Sequence, residues 1–96
     1  MTKKEESLHR LYDALLQLNS REECARFLED LCTIRELQDM SQRLEVAEML
    51  RQGQNYQLIS QATGASTATI CRVSKCLNYG DGGYETVLSR LKEEQK

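Results

Sequence analysis

Asp and Glu are absent from residues 49 to 80, while Arg51, Arg72 and Lys75 lie within that window. The chain as a whole carries a net charge of −2, from 13 Lys and Arg against 15 Asp and Glu. A carboxylate-free island in an acidic chain suits contact with a polyanion, most simply the phosphates of DNA. Inside the window stand Ser66, Thr67, Ala68 and Thr69. Small polar residues at a helix start let hydroxyls and free N–H groups approach phosphates and base edges. The methyls of Ala68 and the threonines are suited to thymine methyls.

Other chemistries find little support. The single histidine, His9, sits near the N-terminus, and a lone histidine there is read as facing solvent. No nucleophile–base pair and no phosphate-cradling glycine loop is evident, so an enzyme is not expected. Cys24, Cys32, Cys71 and Cys76 include no C-x-x-C pair, so neither a metal site nor any cofactor is expected. The cysteines are expected to be small packing residues. A redox role for Cys71 and Cys76, which share one predicted helix, stays open.

The elements that must position this window are helical. The chain has 96 residues, no Pro and no Trp, and 40% of it is hydrophobic, so one all-α domain over residues 1–96 is expected. Leu8, Leu11, Tyr12, Leu15 and Leu16 follow an i, i+3, i+4, i+7, i+8 pattern, which predicts a first helix ending near Asn19. Ser20 with Glu23, and Thr33 with Glu36, are capping-box patterns that open the second and third helices. Cys24, Phe27, Leu28 and Leu31 form the stripe of the second. Ile34, Leu37, Met40, Leu44, Ala47 and Leu50, with Met49, form that of the third, and Gly53 ends it. Asn55 caps a fourth helix over Tyr56–Thr63. Gly64 makes a turn, and Ser66 or Thr67 caps a fifth helix to about Asn78. A glycine-rich break at residues 79–83 precedes a sixth helix from Tyr84, with Val87, Leu88 and Leu91 inward and a frayed tail from Glu93 to Lys96. The charged start MTKKEESLHR is not a signal peptide, and no segment approaches a membrane span. A cytoplasmic location with reduced thiols is therefore expected.

Residues 56–75, YQLISQATGASTATICRVSK, read as a helix-turn-helix. Ile59 and Thr63 face inward on the first helix, although Thr63 stands where an aliphatic residue is expected. Ser60 is small where the two helices approach. Ile70, Val73, Ser74 and Leu77 cluster on one side of the second helix, and Ala68, Arg72, Lys75 and Tyr79 on the other.

The segments CTIRELQDMSQRLEVAEMLRQG and GASTATICRVSKCL resemble the tryptophan repressor superfamily, in its TrpR-like YerC/YecD-type branch. LEVAEML and TGASTATI-x-RV-x-x-CLNYG carry the likeness, which covers about Glu22 to Leu91. The resemblance implies a six-helix all-α Trp-repressor-like fold, an intertwined homodimer and a transcriptional repressor acting on palindromic double-stranded DNA. It places DNA contacts on Gln57, Ser66, Thr67, Ala68, Thr69 and Cys71, to which charge adds Lys75. It also places a ligand pocket at Thr33, Arg43, Arg72, Val73 and Cys76. There the chain departs from the family, with Val73 aligned to a glycine and Cys76 to a serine. The bulk of Val73 implies that tryptophan is not the effector and that the valine itself fills part of the cavity. The helical wheel turns Arg72 toward DNA, whereas the family places it at the pocket or dimer side, which we favour. Arg43 has an ordinary alternative, an ion pair with Glu45 or Glu48. Two other functions stay open: a protein-interaction module using the acidic helices between Glu22 and Glu48, and a switch gated by an unknown small molecule at Arg43 and Arg72.

Overall fold

The computed structural model describes residues 1–94, with side chains through Leu91. Six helices follow one another: α1 (Lys3–Leu15), α2 (Arg21–Leu31), α3 (Ile34–Arg51), α4 (Tyr56–Thr63), α5 (Thr67–Tyr79) and α6 (Gly83–Glu94). They form two compact units, residues 1–37 and residues 38–96. Among the described residues there is no strand, and no helix is long and apolar enough to cross a membrane.

In the first unit, Thr2 caps α1 by accepting the Glu5 amide at 3.1 Å. The helix ends at Leu15 rather than near Asn19. Gln17 N and Leu18 N tighten the end by bonding Ala14 O and Leu15 O, and the Asn19 amide turns away to Glu23 Oε1 at 2.8 Å. Ser20 Oγ accepts the Glu23 amide at 3.1 Å. The expected capping box is thus shifted by one position, because Glu23 reaches Asn19 and not Ser20. The Thr33 box forms as expected, with Glu36 N on Thr33 Oγ1 at 3.0 Å and Thr33 N on Glu36 Oε1 at 2.8 Å. The Thr33 N–H, followed by its hydroxyl, holds the Glu36 carboxyl below its ordinary pKa.

No residue of this unit is buried. Leu8, Tyr12, Leu15, Leu31 and Ile34 are exposed, and Leu16 is 78% exposed. The stripe of α1 is mostly exposed within one chain, with Leu11 half-buried, whereas Cys24, Phe27 and Leu28 of the α2 stripe are half-buried.

The second unit has the core: Val46, Ala47, Ile59, Ala65, Ile70, Val73 and Leu88, with Leu44, Met49, Leu50, Leu77 and Tyr84 packed on it. Val46 is fully buried, although it lies off the stripe expected for α3, while Ile34 and Met40 of that stripe are exposed. The C-terminal half of α3 joins this core through Val46 and Ala47, with Leu44, Met49 and Leu50 of the expected stripe packed beside them. Among the described side chains of α6, Leu88 alone is buried, and Val87 and Leu91 are exposed. Gly83 opens this helix, one residue before Tyr84, and helix continues through Glu94 where fraying was expected; Gln95 and Lys96 lie outside the described residues. Gly53 follows α3 with a left-handed φ of 81°.

Candidate nucleic-acid interface

Local chemistry fixes the two helices of the motif. Asn55 Oδ1 accepts the Leu58 amide at 2.9 Å and starts α4. Gly64 closes it with φ 75° and ψ 4°, a left-handed conformation that a side chain disfavours. Ser66 is the cap of α5, with its Oγ accepting the Thr69 amide at 3.1 Å. Thr63 explains itself here. Its hydroxyl donates to Ile59 O at 2.8 Å and accepts the Ala65 amide at 3.1 Å, so it holds the turn as an aliphatic residue could not. Ser60 is more than small, since its hydroxyl donates to Ala65 O at 2.9 Å.

Ile70 and Val73 dock α5 into the core, with Leu77 and Ser74 half-buried on the same side. The opposite stripe is open: Ala68, Arg72, Lys75 and Tyr79 are exposed. Gln57, Ser66, Thr67 and Cys71 are exposed too, and Thr69 is half-buried. These exposed and half-buried residues lie on α5, its cap and the start of α4, a stretch of sequence without a carboxylate. The hydroxyls of its rim are not equivalent. Ser66 Oγ also donates to Thr69 Oγ1 at 3.1 Å, so this pair is engaged in the cap. Thr67 has no such bond among the described residues.

The cations divide as well. Arg51 is bound to Glu85 at 2.9 Å, tying the end of α3 to α6, so its charge is neutralised within the chain. Among the described residues Arg72 and Lys75 have no ion-pair partner. No local pattern marks the Arg51 pairing, which joins residues 34 positions apart.

The expected ligand residues have separate local roles. Thr33 caps α3, and Val73 is 1% exposed in the core. Arg43 is half-buried and, among the described residues, pairs with neither Glu45 nor Glu48. Arg72 and Cys76 are exposed on α5. Arg72 thus lies on the open stripe given by the helical wheel. Cys71 and Cys76 are not packing residues within the chain, and Cys24 and Cys32 are half-buried; all four are free thiols. Among the described residues no three His, Cys, Asp or Glu side chains come together as metal ligands. Gln42 is the residue that sequence reasoning missed. Its Nε2 donates to Thr63 O at 3.1 Å, reaching the turn from α3.

Two capped helices, a left-handed glycine between them and a second helix docked by spaced aliphatic residues make a helix-turn-helix of the kind found in DNA-binding regulators. The family model for the Trp repressor protein matches residues 6–92, and the chain belongs to that family of transcription regulators. It is 56% identical over 88 residues to the uncharacterized protein YerC of Bacillus subtilis (strain 168), covering 92% of this chain and 85% of that protein. Two solved structures superpose with a TM-score of 0.87. One is a Trp-repressor candidate from Staphylococcus aureus, 46% identical, covering 96% of both chains. The other is a TrpR-like protein from Eubacterium eligens ATCC 27750, 48% identical, covering 91% of this chain and 90% of that one. The all-α, Trp-repressor-like fold expected from the sequence is thereby established.

Proposed function

We propose that the protein is a homodimeric transcriptional repressor that binds specific double-stranded DNA through α5 without requiring tryptophan. The observation that carries this reading is the open face of α5. Arg72 and Lys75 stand on it unpaired among the described residues, with no carboxylate on the same helix. Ser66, Thr67, Ala68 and Thr69 lead with the helix N-terminus, and Gln57 and Cys71 flank them. Phosphate contacts from the cations and backbone amides orient the helix, and the small residues give it access to base edges.

Dimerisation is supported by the first unit. Leu8, Tyr12, Leu15 and Leu16 of α1, with Leu31 of α2, leave apolar surface uncovered, and no residue of this unit is buried. A second copy covers them, and the chain then acts as one domain within the dimer. The dimer also doubles the cations. Arg72 and Lys75 from each protomer neutralise about four phosphates, for a log–log salt slope of about −3 to −4. Independence from tryptophan is supported by Val73. Its isopropyl group is core material in the chain alone, so α5 is docked without a ligand. The family's regulatory role and the absence of a membrane-spanning helix among the described residues fit a cytoplasmic site of action.

Anisotropy titration of a labelled duplex at several salt concentrations tests the reading. Wild-type protein is expected to bind with the slope above, and Lys75→Glu to abolish binding while leaving the helical content intact. Binding that ignores salt, or that survives Lys75→Glu, contradicts it.

A further inference from the structure

We propose that Gln42 is a positioning residue of the DNA interface, fixing the turn of the helix-turn-helix to α3 and so setting where α5 presents its N-terminus. The inference rests on the DNA-binding reading above. Its starting point is the hydrogen bonding of the turn. Helix C-termini leave carbonyls without intrahelical partners, and part-buried polar groups need substitutes. Here Gly64 N bonds Ser60 O at 2.9 Å, Ala65 N bonds the Thr63 hydroxyl, and Ala65 O accepts from the Ser60 hydroxyl. Thr63 O accepts from Gln42 Nε2 at 3.1 Å. Among the described residues, Gln42 is the one partner in this network that comes from outside residues 56–79. A Cβ placed on Gly64 would sit 3.9 Å from the same nitrogen, so the amide lies over the turn itself.

Val46 and Ala47 of α3 also share the buried apolar core with Ile59, Ala65 and Ile70 of the motif. Such contacts are non-directional and tolerate small slides and rotations. A hydrogen bond between a half-buried amide and a turn carbonyl does not, because its strength falls steeply with misalignment. Thr63 is separated from the Ser66 cap by only Gly64 and Ala65, so displacement of its carbonyl is carried directly to Ser66, Thr67 and Thr69. Base-edge contacts demand placement within about 0.5 Å, whereas phosphate contacts by long flexible side chains do not. Loss of Gln42 therefore lowers specific binding more than non-specific binding.

The test uses full-length protein, a duplex enriched by selection with the wild type, and a scrambled duplex of equal length. Gln42→Met keeps the side-chain length and removes the donor, and Gln42→Glu keeps the shape and makes the group an acceptor. Both are expected to reduce the ratio of specific to non-specific affinity by about five- to tenfold, the scale of one hydrogen bond. Both are also expected to speed hydrogen exchange at the Ala65 amide while leaving the Val46 and Ile70 amides unchanged. Equal weakening on both duplexes, or no change in ratio, overturns the positioning role while leaving DNA binding intact. A wild-type protein that enriches no duplex overturns the DNA-binding reading and this inference with it.

Discussion

Arg51 is held at 2.9 Å from Glu85, with the two side chains 30% and 63% exposed. The pair cancels one of the three cations in the carboxylate-free window. An exposed pair of this kind contributes less than about 1 kcal/mol to stability after solvent screening. Arg51→Ala is accordingly expected to leave the salt slope of DNA binding unchanged. Lys75→Ala, one change per protomer, is expected to make that slope shallower by about 1.8. Paired titrations from low to moderate salt separate the two, and a shallower slope for Arg51→Ala would show that the ion pair opens on DNA.

Gly64 carries the turn at φ 75°, and the nearest atom to an added Cβ is Gln42 Nε2 at 3.9 Å. The space is ordinary, so the cost of Gly64→Ala is purely conformational, about 1 kcal/mol. Denaturant unfolding is expected to show that loss with an unchanged m-value. A loss of several kcal/mol would mean that the neighbouring packing does not tolerate the methyl.

Glu36 closes the capping box at the start of α3. Its carboxyl pKa is lowered by the bond from the Thr33 amide and, next, by the Thr33 hydroxyl. A depressed folded pKa stabilises the folded state above the unfolded value, about 4.3, and this contribution is lost as pH falls through the folded value. The stability advantage of wild type over Glu36→Gln is therefore expected at neutral pH and to vanish as pH falls through the depressed folded pKa. Thr33→Ala removes the cap and should cost about 1 kcal/mol at neutral pH. An advantage of wild type over Glu36→Gln that does not vary with pH would remove the carboxylate from the cap.

Val73 holds α5 from within the core. Val73→Ala is expected to destabilise by about 2 kcal/mol through lost burial and the cavity left behind. Millimolar L-tryptophan is expected to leave the melting temperature of the wild type unmoved, since a ligand at 100 times its Kd would add about 2.7 kcal/mol. A clear thermal shift with tryptophan would restore the family's ligand pocket at Arg43 and Arg72.

Features written in neighbouring residues were legible before the structure. Asn55, Ser66, Gly64, Gly53 and the Thr33–Glu36 box act within three or four positions, and each stands where its chemistry placed it. The inner and outer faces of α5 also followed from periodicity. What stayed hidden depends on distance in the chain or on a second surface. Gln42 meets Thr63 across 21 positions, and no local pattern marks a glutamine as a turn staple. Val46 is buried beside Ala47, Leu44, Met49 and Leu50, which the spacing did trace, whereas Ile34 and Met40 of the same stripe are exposed. The stripe of α1 was visible, but periodicity says that a face seeks cover and not which chain supplies it. The exposure of Cys71 and Cys76 escaped notice for a similar reason: small thiols fit either side of a helix.

The most direct measurement is selection of binding sites from random duplex DNA by the purified protein with no ligand added. The account predicts enrichment of a palindrome whose half-sites lie about one helical turn apart, matching two α5 helices related by a two-fold axis. Failure to enrich any sequence at low salt, with the protein folded, would contradict it.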